Sequence, residues 1–469
     1  MMERPRSPLG RPALLALVLV GAGLAGLRPA FSQDVHYWTY QYGTRATLLG
    51  GAVIGSVLDL SGTYYNPGGL SLIEDPDTLM AAKIFQYPRV SLTQQGGEGV
   101  NINSSNLGPA PSLIAGRFKF KGLGKHWLGY SFLSRQDVKL ALSYSSVGRG
   151  EALPGVPGLE AYASEFRMEE KLTEPWFGLT WAYRVLDHVG VGVSQYLTIR
   201  SHRGSVQSMV EALDAEGRVS LAFASRQYRY QNVRILWKIG AAFDFRRFTL
   251  GLTLTTPSLK LFGHGATGVN ATVVGVDLDG DGVKDDFLAA DYRDGLPSSF
   301  RTPVSLAVGT TFKLGEVRLY ATAEWFGGSG EFVVIDSEDF EAQSSGEMLS
   351  TDVTHELAAV LNMGVGVEFA LTPDFKTYLS FTTDNSARPP GTATNLSLTD
   401  WNIRHVLTGA AFTIRKTSLT LGLGYSFGDR EISQRPGIIL PEEPGPAWEA
   451  WSGLAFKYSS YKLVAGFAF

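Results

Sequence analysis

The chain of 469 residues has no cysteine. That excludes a disulfide framework, a thiolate metal site and the lipid-bearing cysteine of a lipoprotein together. Charge is also sparse: 18% of residues are charged, the net charge is -4 and neither sign forms a block, so nucleic acid is not an expected partner. Catalytic constellations are missing too. His36, His126, His188, His202, His264, His355 and His405 are scattered, and neither His-Glu-x-x-His nor Gly-x-Ser-x-Gly occurs, so no enzymatic activity is expected. Long apolar runs are absent after Leu27. The one run, Ala13 to Leu27, follows Arg4, Arg6 and Arg11 and leads to Ala30-Phe31-Ser32. It falls short of the roughly 20 residues of a spanning helix and reads as a secretory signal over residues 1–32.

What the chain has instead is glycine, 54 residues of it, 12% aromatics, and a repeated alternation of period two. Leu250, Leu252 and Leu254 alternate with Thr249, Gly251, Thr253 and Thr255. Leu361, Met363, Val365, Val367 and Phe369 alternate with Asn362, Gly364, Gly366 and Glu368, and the chain closes on Tyr461, Leu463, Ala465, Phe467 and Phe469. A period of two sends the two sets to opposite faces of a strand. The small-and-polar face suits a packed lumen and the bulky face suits lipid, which is the pattern of a transmembrane β-barrel. Charges follow the same rule: Arg234, Lys238 and Asp244 oppose Ile235, Trp237, Ile239 and Phe243. An Arg or Lys facing lipid at mid-depth would cost about 2–4 kcal/mol, so such residues, with Arg200, Arg318, Glu324 and Glu368, are expected inside, paired with one another.

Fourteen candidate strands fit residues 77–469, an even number as bacterial barrels require. Short connections, at 121–126, 186–188, 246–247, 314–315, 372–373 and 416–418, alternate with long ones at 148–172, 263–299 and 336–354. The short ones are expected in the periplasm and the long ones outside. The fold class is therefore all-β, an antiparallel transmembrane barrel in a Gram-negative outer membrane, with outer-membrane lipid around it and a monomer as the expected state.

Residues 33–76 do not alternate. They contain Gly43-Thr44-Arg45-Ala46 with Gly50-Gly51-Ala52, then Tyr65-Asn66-Pro67-Gly68-Gly69-Leu70. About forty compact, turn-rich residues are too many for a tail and too few for a domain, so a plug inside the lumen is the expected placement. Asn66, Pro67 and Gly68 combine a backbone-bonding side chain, a fixed φ and a residue free of Cβ, which suits a rigid turn.

These stretches, followed by a barrel with a terminal Phe, resemble the FadL/TodX family of outer-membrane transporters for long-chain fatty acids and aromatic hydrocarbons. The resemblance implies a fourteen-stranded barrel closed by an N-terminal hatch, with apolar ligands leaving sideways through a gap made by an inward kink of the third strand. Here the third strand, 127–147, loses its alternation at Ser134, Arg135, Gln136 and Asp137, which is the candidate kink; an ordinary lumen-facing bulge is the alternative. The connection around Leu213 to Gly217 is short where the family often builds part of an outer ligand groove.

One local motif stands apart. Asp277, Asp279, Asp281 and Asp285, with Gly282 between the last two, have the spacing of a calcium loop, although Leu288 stands where a bidentate Glu would complete it. No cofactor is expected to be required; a structural Ca2+ in an outer loop is the one ion implied. The function expected is passive uptake of a hydrophobic small molecule. The rival reading is a scaffold that docks secreted proteins at a secretion machine.

Overall fold

The computed structural model describes residues 35–468 except 57–58, 74–78, 95–101, 106–107, 111–112, 121, 150–158, 277–282, 390–400, 416 and 432–453. The expected signal over 1–32 lies outside the described residues. In chain order the strands are β1 (Leu79–Gln94), β2 (Ile102–Ser105), β3 (Gly108–Ala110), β4 (Leu113–Arg117), β5 (His126–Arg149), β6 (Leu159–Leu186), β7 (Val189–Asp214), β8 (Val219–Asp244), β9 (Phe248–Thr255), β10 (Leu259–Val276) and β11 (Asp285–Pro297). They continue with β12 (Ser305–Leu314), β13 (Val317–Phe326), β14 (Ser329–Ile335), β15 (Phe340–Glu341), β16 (Met348–Leu349), β17 (Val353–Leu357), β18 (Val360–Thr372), β19 (Phe375–Asp384), β20 (Ile403–Ile414), β21 (Thr417–Glu431) and β22 (Leu454–Ala468).

The main sheet has 18 strands. Fourteen make a ring in which each pairs antiparallel with the next: β1, β4, β5, β6, β7, β8, β9, β12, β13, β18, β19, β20, β21 and β22. The ring closes because β22 pairs with β1 from Met80↔Ala468 to Gln94↔Leu454. Closure matters physically, since a wall in lipid can leave no unpaired edge. β2, β3 and β4 lie end to end along β1.

Burial in this wall runs opposite to that of a water-soluble sheet. On β9, Thr249, Gly251, Thr253 and Thr255 are buried while Leu252 and Leu254 are exposed. Asn362, Thr382, Thr420 and Ser460 have no exposure, whereas Leu423 and Tyr461 are more than 60% exposed. Aromatic side chains gather outside at the short-turn end, with Phe375 stacked on Phe412 at 4.6 Å and Phe245 packed on Phe248 at 4.7 Å. A second group, Tyr425 with Phe427 and Tyr461, lies farther along the wall, giving the two aromatic belts of a membrane barrel.

Two expected loops are largely strand among the described residues. Residues 148–172 and 263–299 had read as long connections, but β5 runs to Arg149, β6 starts at Leu159, and β10 pairs with β8 and then β11. The reason is visible on β6: above Pro175 the alternation continues, but Glu165, Arg167, Glu169 and Lys171 replace the apolar outer residues Phe177, Leu179 and Trp181. An apolar template stops at the edge of the lipid band although the strand does not. The connection after β13 folds over the inner face of this raised sheet. In it β14 pairs with β17 and β15 with β16, and Phe332, Val334, Ile335 and Val353 pack with Tyr228, Tyr230 and Phe300.

Candidate functional site

Residues 35–73 lie inside the ring. Their short helix Thr44–Leu48 meets β19 to β22, and the 3-10 helix Pro67–Ser71 meets β5 to β8 on the other side. Wall side chains donate to the segment's carbonyls from both sides: Ser194 Oγ and Tyr196 Oη to Thr63 O at 2.6 and 2.8 Å, Thr253 Oγ1 to Tyr65 O at 2.8 Å, Ser380 Oγ to Leu48 O at 2.9 Å and Lys462 Nζ to Thr39 O at 2.9 Å. Non-strand backbone at this depth needs such partners. The polar inner face of the wall supplies them.

Asn66, Pro67 and Gly68 form the tightest part of this contact. Asn66 is fully buried; its amide donates to Ile54 O and to Ala241 O on β8, both at 3.0 Å, and its Oδ1 accepts from Gly68 N at 3.1 Å. Pro67 begins the 3-10 helix, where its missing N–H costs nothing. Gly68 sits between two strands: a Cβ there would lie 2.6 Å from Gly240 O and 2.8 Å from Gly190 O. The wall answers with glycines of its own, Gly190, Gly192, Gly240 and Gly251, where a side chain would strike Gly68, Pro67, Asn66 or Ile54. The turn and its seat are thus matched backbone to backbone.

The first residues are tied to one carboxylate. Asp384, at the end of β19, accepts from Tyr37 N at 3.0 Å, Trp38 N at 2.9 Å and Thr39 Oγ1 at 2.6 Å, with His36 and His405 at 3.7 and 3.9 Å. The expected lumen charges pair partly with this segment and not only with one another. Glu324 accepts from Trp38 Nε1 at 2.8 Å, and Glu368 takes Arg45 at 2.5 Å with Arg318 at 3.7 Å. Arg200 and Arg234 both hold Glu174, each at 2.7 Å, and Lys238 Nζ, 3.0 Å from Thr255 Oγ1, lies over the Tyr64 ring. Asp244 instead sits at the turn end of β8, exposed and paired with Lys313.

At the candidate kink, β5 carries one residue more than β6. Ser134 pairs with Pro175 and Gln136 with Glu174, leaving Arg135 unmatched, a β-bulge. Arg135 and Gln136 are buried and turn inward; Arg135 Nη2 donates to Tyr37 O at 2.9 Å and Gln136 Nε2 to His36 O at 3.2 Å. On its other side β5 pairs with β4 only from Leu133 down to Gly129. Among the described residues no ladder joins β5 to β2 or β3. The carbonyls beyond Leu133 are met by the inner segment: Tyr42 Oη reaches Ser134 O and Arg135 O at 3.2 and 3.3 Å, and Tyr40 Oη donates to Asp137 O at 2.8 Å. Two tyrosines of the inner segment thus meet β5 carbonyls beyond Leu133, although β2 comes within 8 Å of β5.

A cavity of about 40 Å³ lies here, lined by Tyr37, Tyr64, Arg135, Trp176, Lys238 and Phe326 among others. It holds little more than one water. Passage of anything larger needs side chains or the inner segment to shift.

Sequence reasoning did not find Asp384, Glu174, Tyr40 or Tyr42. A lone carboxylate at a strand end carries no local signal; the tyrosine alternation Tyr40, Tyr42 could have pointed to one face meeting a common surface. Of the calcium residues, Asp277, Asp279 and Asp281 lie outside the described residues, and Asp285 opens β11, its backbone opposite Val276.

Solved structures with this architecture include a FadL homologue of Pseudomonas aeruginosa (12% identical, TM-score 0.54, covering 92% of this chain and 100% of that one). The toluene transporter TodX of Pseudomonas putida matches at 12% identity and TM-score 0.57 over 92% and 99% of the two chains. The toluene transporter TbuX of Ralstonia pickettii matches at 13% and 0.53 over 92% and 98%. No protein-family model matches the sequence, and no curated protein matches it. The chain is thus a barrel of the FadL/TodX type in fold, as its hatch motif and strand count implied.

Proposed function

We propose that the chain is an outer-membrane channel for passive uptake of hydrophobic small molecules, long-chain fatty acids or aromatic hydrocarbons, which leave sideways through the wall. The observation that carries this reading is the interruption beside β5. The axial route is filled by the hatch, which is hydrogen-bonded to strands on opposite sides of the ring, whereas among the described residues β5 has no ladder to β2 or β3 beyond Leu133, where Arg135 bulges inward. An apolar solute gains by passing from lumen to lipid without crossing water, since each buried CH2 is worth about 0.8 kcal/mol. An ion gains nothing by that path.

The test is accumulation of a radiolabelled long-chain fatty acid and of radiolabelled toluene by cells lacking their own uptake barrels, with and without this protein. Faster uptake of at least one probe is expected. No uptake of either, together with a secreted protein co-purifying with the barrel, would replace the channel by the scaffold.

A further inference from the structure

Outside the lumen, the raised sheet carries an arrangement that pairing energetics disfavour. Lys139 on β5 is directly opposite Lys171 on β6, Lys171 opposite Arg203 on β7, and Arg203 opposite Arg229 on β8. All four are exposed, while their neighbours Leu140, Leu172, His202 and Tyr230 are buried on the inner face. Like charges directly opposite one another destabilise a sheet, and here the juxtaposition is repeated across four strands. Among the described residues only Arg229 of the four has an ion pair, with Asp294 at 2.5 Å; Asp137 lies close enough to Lys139 and Lys171 to feel both, and Glu169 shares the face. Arg203, between two cations, has no carboxylate within 4 Å among the described residues. The row lies in a depression of about 740 Å³ that also includes Ser205, Gln227 and Tyr292.

Its height on the wall is the second observation. On the same four strands, Phe132, Phe177, Leu197 and Ile235 form a cross-strand row of outward apolar residues. Above it come Pro175 and Ile199, then the polar row Asp137, Thr173, Ser201 and Gln231, and then the cations. Arg203 is four residues beyond Ile199, about 13 Å along a strand and about 10 Å along the membrane normal at a tilt near 40°. Headgroups extend roughly 5–8 Å beyond the hydrocarbon, so the row stands at their outer edge, among the sugars and phosphates that a glycolipid carries.

We infer that this row binds the phosphate groups of an outer-leaflet phosphoglycolipid, which adds to the negative charge that Asp137, Glu169 and Asp294 supply only in part. Lys and Arg on a flat, outward face meet phosphate oxygens by charge-assisted hydrogen bonds. The sheet provides four donors in line at the roughly 4.8 Å strand spacing. The inference rests on the reading of the chain as an outer-membrane barrel with this rim outward.

The experiment reconstitutes the full chain in nanodiscs of zwitterionic lipid and titrates in bisphosphorylated lipid A, dephosphorylated lipid A, or inorganic phosphate, reading bound lipid by native mass spectrometry. Each Lys or Arg near an anionic surface contributes about fivefold in binding. Lys171→Gln with Arg203→Gln should therefore weaken retention of bisphosphorylated lipid A about 25-fold, while Arg246→Gln with Arg247→Gln at the opposite rim should not. Heat-modified gel migration of the first pair should match the unmodified protein, and its thermal stability in plain detergent should equal or exceed it, because repulsion is removed. Equal retention of dephosphorylated lipid A, equal retention by the variant, or full competition by inorganic phosphate would overturn the assignment. Orientation is checked separately: Glu216→Cys, in a chain without cysteine, should react with an impermeant maleimide on intact cells. Failure there would sink the membrane orientation and not the row itself.

Discussion

Asn66 and Gly68 hold the hatch by opposite means, one by filling its hydrogen bonds and the other by having no side chain. Asn66→Ala removes three bonds at a fully buried position, and an unsatisfied buried polar group costs about 1–3 kcal/mol. Gly68→Val would drive a side chain into two backbone carbonyls that cannot retreat without breaking the β7 and β8 ladders. Both variants should keep the heat-modifiable barrel, since the wall is closed without the hatch, and both should raise ion conductance in planar bilayers, Gly68→Val more. Unchanged conductance in both would show that the hatch is not the seal. The Asn-Pro-Gly turn was legible because its signal is local. Its seat was not: Gly190, Gly240 and Gly251 look like any small lumen residue, and Asp384 meets Tyr37 across 347 positions of sequence.

Among the elements, β5 departs furthest from regularity. Its polar interruption at Ser134 to Asp137 was legible as a break in alternation, and the structure places a bulge at Arg135 there. The end of its described ladder with β4 at Leu133 was not legible, because pairing is a property of two strands and the sequence shows one at a time. The upper half of β6, the end of β7 and the β10–β11 hairpin were missed for a different reason: their outer faces are polar, so the period of two persists without apolar contrast. Of the four calcium-loop aspartates, only Asp285 is among the described residues. Asp277→Ala with Asp281→Ala should abolish any calcium-dependent protection of residues 277–285 from protease, with the barrel intact. If the unmodified protein is cleaved at the same rate with calcium and with a chelator, there is no site.

For the whole molecule, the wall was legible because lipid inverts the usual rule: threonine and glycine go in, leucine goes out, and a charge outside at mid-depth costs too much. Fourteen strands, the hatch and the side of each alternating residue follow from that rule and from connection lengths. The ligand does not follow, since Tyr37, Trp176, Lys238 and Phe326 come together from four distant segments around a cavity too small to record its shape. A filled axis and, among the described residues, a stretch of β5 with no ladder to β2 or β3 support one central proposal, that the solute leaves sideways. Deleting Arg135 tests it most directly, because it removes the extra residue and lets Ser134 and Gln136 follow Pro175 and Glu174 in continuous register. In a protein verified as folded and inserted, uptake of the radiolabelled probe should fall to the level of cells lacking the barrel, with ion conductance unchanged. Undiminished uptake through the straightened wall would contradict lateral exit.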